Sequence, residues 1–132
     1  MFTPIALLLT ISATGRAPVD SIRSDRDIRL VALRNVADVR RCYEREGLTR
    51  DPRLTGTFDV TVTVQATGVV SGAAVTAHRM RGVGAREVAT CVTTAIRNWR
   101  FDRGPYVVET IVFPFSFKPE QTVGARVVNS KP

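Results

Sequence analysis

The stretch Val88-Ala89-Thr90-Cys91-Val92-Thr93-Thr94-Ala95-Ile96-Arg97-Asn98-Trp99 decides how this chain folds. Its apolar residues stand at Val88, Cys91/Val92, Ala95/Ile96 and Trp99, the spacing that lines one face of an α-helix. Glu87, Thr90, Thr94, Arg97 and Asn98 fall opposite and can meet water. A cysteine inside such a stripe is either a small core residue or one half of a cross-link. The one other cysteine, Cys42, lies on an earlier stripe in which Ile28, Val31/Ala32, Val36, Val39 and Cys42/Tyr43 recur every three or four positions. Leu30 and Leu33 widen that stripe at its start. Ser24 with Asp27 three residues on supplies a helix start, and Gly47 is read as the stop. Both sulfurs thus sit on core-facing stripes, which predicts a Cys42–Cys91 disulfide; the alternative is two free buried thiols. The bridge closes a loop of about fifty residues, worth about 4 kcal/mol in the chain-entropy model.

Between the helices lie two strands. From Thr57 to Gln65, Phe58, Val60, Val62 and Val64 alternate with polar residues, giving one apolar and one wet face. Ala66-Thr67-Gly68 is a hairpin turn. The return strand, from Val69 to about His78, changes parity: Val70 falls out of step with Ala73, Val75 and Ala77, which predicts a β-bulge at Ser71-Gly72. Past Trp99, a turn at residues 102–105 leads to a third strand, Tyr106 to Phe117. Val107, Ile111, Phe113, Phe115 and Phe117 share one face of it, and Glu109 conflicts with that face. Pro114 has no N–H to donate, which places this strand at a sheet edge. A right-handed crossover through the second helix gives the strand order two-one-three. The fold class is α+β: a three-stranded antiparallel sheet, order 2-1-3, with two helices packed on one face.

Cys42-Tyr43-Glu44, then Pro52, Leu54 and Gly56, Gly68 with Val70, Cys91, Trp99-x-Phe101 and Pro114-Phe115-x-Phe117 stand in one order. This order resembles the TonB C-terminal domain superfamily, in its AgmX/PglI C-terminal type of myxobacteria, over about residues 28–117. The resemblance implies a TonB C-terminal-like fold with a three-stranded antiparallel sheet and helices on one face. TonB-like energy transducers carry an N-terminal transmembrane anchor and a proline-rich spacer; neither is read in this sequence, so coupling to an inner-membrane motor is not expected.

Residues 1–17 read as a signal peptide. Residues 5–11 are an apolar run too short to span a bilayer, and cleavage after Gly15 or Ala17 fits the small-x-small rule. Residues 18–27 read as a linker, 28–117 as the domain and 118–132 as a flexible tail. Export to the periplasm or outside the cell agrees with an even cysteine count. The net charge of +7 comes almost wholly from arginine, since Lys118 and Lys131 are the only lysines. It is spread along the chain, which favours a solvated surface over a nucleic-acid footprint.

Catalytic chemistry finds little support. The sole histidine, His78, stands at a strand end beside Arg79, and no Cys/His cluster offers a metal site. Gly82-Val83-Gly84 lacks the lysine and strand-to-helix setting of a phosphate loop. Neither a catalytic residue nor a cofactor is expected, and Tyr43, Trp99 and Phe101 are read as core. The functional candidate is the edge strand. If the Pro114 nitrogen faces the free edge, Val112 and Ser116, continued by Thr110, form a docking ladder for an added strand. Arg97, Arg100 and Arg103 are expected to steer an acidic partner there. The expectation is a non-enzymatic domain binding an envelope protein or peptide, with an edge blunted by Pro114 or closed by homodimerisation as its rival. The alternative is a basic module binding nucleic acid or an anionic surface.

Overall fold

A computed structural model describes residues 21–119; the signal expected at 1–17 and the tail beyond Pro119 lie outside the described residues. The elements run α1 (Asp25–Arg34), α2 (Val36–Cys42), a π-helical turn (Tyr43–Leu48), β1 (Gly56–Val64), β2 (Val70–Thr76), α3 (Ala85–Ile96) and β3 (Glu109–Phe117). The strands form one antiparallel sheet in the order β2-β1-β3. The α+β class and the strand order are those expected from the sequence.

Strand alternation explains the core. Phe58, Val60, Val62 and Val64 of β1 are fully buried, and Ile111, Phe113, Phe115 and Phe117 of β3 join them on the same face. Trp99 meets Phe113 edge-on at 5.6 Å between ring centres, and Tyr43 lies 5.0 Å from Phe117. Such aromatic pairs add about 0.5–1.5 kcal/mol each beyond area burial.

The hairpin expected at 66–68 is present, with Gly68 at φ +92, where an added Cβ would fall on the Phe101 carbonyl. In the β1–β2 ladder Thr63 faces Gly72 and Val64 faces Val70, leaving Ser71 unpaired. This is the bulge expected at Ser71-Gly72, and it puts both Val70 and Ala73 in the core. Ala77 does not continue the buried set. It is exposed at φ +49, past the end of β2.

The first helix departs from expectation. Ser24 caps it by accepting from the Asp27 amide, but the helix breaks at Asn35. There the Asn35 side chain donates to the Val31 carbonyl at 2.7 Å, the acceptor its own amide would use in a continuous helix. That amide bonds instead to Ala32. Gly47 does not stop the helix; it lies within the π-helical turn and lets α3 approach. A Cβ there would come within 2.7 Å of Val88 and 2.8 Å of Leu54. Leu30 and Leu33 do not widen the buried stripe: they are 43% and 54% exposed, while Val31 and Ala32 turn inward.

The Cys42–Cys91 disulfide is present, with sulfurs 2.05 Å and Cα atoms 5.6 Å apart. It ties α2 to α3 across 49 residues, a closure of about 4 kcal/mol in the chain-entropy model. Tyr43, next to Cys42, donates its hydroxyl to the Leu54 carbonyl and so fixes the loop into β1.

Candidate functional site

β3 begins at Glu109 rather than at Tyr106, and Val107 is exposed. The reason is a contact from the other end of the chain. Val107 donates its amide to the Ser21 carbonyl, and Ser21 bridges Tyr106 in parallel. Two residues on, Arg23 is buried against Glu109 with an N···O distance of 3.0 Å. Its backbone amide donates to the same carboxylate, its guanidinium donates to the carbonyls of Asp102 at 2.7 Å and Gln65 at 3.2 Å, and its charge sits 4.4 Å from the Tyr106 ring centre. The parity conflict at Glu109 is therefore relieved by a buried partner.

Among the described residues β3 pairs with β1 alone, so its other side is a free edge. The direction of its main-chain groups follows from the far side of β1. The Thr57 carbonyl accepts from Arg79 and the Gln65 amide donates to Val69, both toward β2. Main-chain groups alternate along an antiparallel strand. The odd-numbered residues of β1 therefore serve β2, and the even-numbered ones serve β3. Opposite the even set stand Phe117, Phe115, Phe113, Ile111 and Glu109, which complete the ladder. Thr110, Val112, Pro114 and Ser116 stand opposite Thr63, Thr61, Asp59 and Thr57. Their main-chain groups turn outward, so the missing N–H of Pro114 costs the sheet no bond. The amides of Thr110, Val112 and Ser116 line the free edge, with the Thr110 and Val112 side chains exposed.

The charges expected beside this edge stand elsewhere. Arg97 donates to the Ala73 carbonyl of β2 at 2.9 Å, and Arg100 bridges Val69. Both lie at the opposite edge, with β1 between them and β3. The chain leaves α3 past the β1–β2 turn, where the Phe101 amide donates to Gly68, and only then crosses to β3. Arg103 is exposed in the turn on the way. Exposed basic groups that do stand by β3 are Arg53 and Lys118, which line a shallow groove with Thr57, Ser116 and Phe117 at the strand's C-terminal end. Sequence reasoning missed Arg53, because only the β1–β3 register brings residue 53 to that end.

A second concavity, of about 620 Å³, lies between α2 and α3 over the disulfide. Its walls carry Arg41, Arg45 and Arg86 against Asp38, Glu46 and Glu87, so its charges balance. Tyr43 and Trp99 are buried and present no surface to a partner. His78 is exposed and accepts from the Met80 amide through Nδ1. Among the described residues no group of three His, Cys, Asp or Glu side chains could hold a metal ion, and no helix is long and apolar enough to cross a membrane. No family model, curated protein or solved structure matches the chain.

Proposed function

We propose that this chain is a non-catalytic interaction domain of the TonB C-terminal-like, AgmX/PglI type, which binds a protein or peptide of the cell envelope by accepting an added strand along β3. The observation that carries the reading is the free edge itself. Three outward amides, at Thr110, Val112 and Ser116, stand on a strand whose opposite side is fully paired. A docked strand takes its affinity from such main-chain bonds and its specificity from side chains flanking them. Arg53 and Lys118 at one end favour an acidic segment or a terminal carboxylate on the incoming strand. The three-stranded sheet and the order β2-β1-β3 support the family reading. The disulfide supports export into an oxidising compartment, the periplasm or beyond.

The test is capture from envelope extract by the parent chain and by Thr110→Pro, followed by titration of the purified partner. Thr110→Pro removes one edge donor and leaves the β1 ladder whole, so binding falls at least about tenfold, the cost of one hydrogen bond left unmade. Equal binding by the two chains removes β3 as the docking strand. Self-association that Thr110→Pro abolishes assigns the edge to homodimerisation instead.

A further inference from the structure

α1 carries two opposed stripes. Ile28, Val31 and Ala32 pack toward the core. Arg26, Arg29, Leu30, Leu33 and Arg34 recur at i, i+3, i+4, i+7 and i+8, and all five are exposed. On this outer stripe the two leucines stand between the flanking arginines, and no acidic residue interrupts it. The acids of the helix, Asp25 and Asp27, sit in its first turn, where they suit the positive end of the helix. None of the three arginines forms a salt bridge among the described residues.

We propose that this outer stripe of α1 docks on an anionic lipid surface, with Leu30 and Leu33 entering the headgroup boundary and Arg26, Arg29 and Arg34 meeting lipid phosphates. The pairing of charge with apolar area selects this occupant. A nucleic-acid backbone rewards the arginines but leaves two exposed leucines without a role, whereas an interfacial helix uses both. The length of chain preceding the helix agrees. On the export reading, residues 12–20 join the docked Ser21 to the apolar run at 5–11, a reach of at most about 35 Å, so the domain that carries the stripe is held near a bilayer until cleavage. This surface is separate from the β3 edge and stands or falls apart from it.

The test is sedimentation of the full chain with vesicles of phosphatidylcholine and with vesicles of equal parts phosphatidylcholine and phosphatidylglycerol. The parent chain is expected to bind the anionic vesicles more tightly and to lose that preference at high salt. Each arginine near an anionic surface contributes about fivefold in partitioning, so Arg29→Gln/Arg34→Gln is expected to weaken binding by roughly twentyfold. Leu30→Gln/Leu33→Gln, which alters only exposed side chains, is expected to weaken it by about tenfold or more. Equal binding to both vesicles, or parent-like binding by either double variant, overturns the proposal. Binding to duplex DNA that the arginine variant loses and the leucine variant keeps overturns it in favour of nucleic acid. A dimer that dissociates only in the leucine variant overturns it in favour of a second copy.

Discussion

Arg23 and Glu109 stand 86 residues apart and form the most buried ion pair in the described chain, with side chains 1% and 9% exposed. Removing one partner of such a pair leaves the other charged and dry, a cost of about 3–5 kcal/mol. Glu109→Leu is therefore expected to lower the unfolding free energy by that amount in urea titration. Arg23→Met with Glu109→Leu is expected to recover part of it, because both desolvated charges are then gone while the Asp102 and Gln65 carbonyls lose their donor. A single Glu109→Leu loss below about 1 kcal/mol contradicts the assignment. At this scale the sequence is partly readable. Glu109 declares itself as an acid on an apolar face, but its partner does not, since no local periodicity links residue 23 to residue 109. The same limit misplaced Arg97 and Arg100, which are near β3 in sequence and one strand removed from it in space.

Elements were legible where one period governs them. The two-residue alternation of β1 and β3 specifies their buried faces, and the parity change in β2 specifies its bulge at Ser71. The first helix was less so, because an apolar stripe runs through Asn35 without registering that its amide side chain competes for the Val31 carbonyl. The direction of the β3 main chain makes an element-scale prediction that side chains do not. Thr110→Pro takes an outward amide, whereas Ile111→Pro takes one that bonds to β1. In thermal unfolding Thr110→Pro is expected to remain within about 1 kcal/mol of the parent, and Ile111→Pro to lose at least about 2 kcal/mol through a broken ladder bond and an unpaired buried acceptor. Equal losses mean that the alternation has been assigned to the wrong parity.

For the whole molecule, one face of the sheet is covered by helices tied together through Cys42–Cys91, and among the described residues one side of β3 is left without a strand. On the proposed function, the clamp holds the helices together on one face while the free side of β3 serves as a template, and Pro114 on it limits unwanted sheet extension at no cost to the ladder. The sulfur clamp was readable from two core-facing cysteines; what the proposed docking edge would receive was not, because recognition through main-chain bonds leaves little trace in side chains. Residue-resolved amide hydrogen exchange on the monomeric full chain reads the β3 edge most directly. If the outer side of β3 is a free edge, Thr110, Val112 and Ser116 exchange fast, alternating with slow exchange at Ile111, Phe113 and Phe115. Protection at Thr110, Val112 and Ser116 equal to that of their neighbours contradicts it.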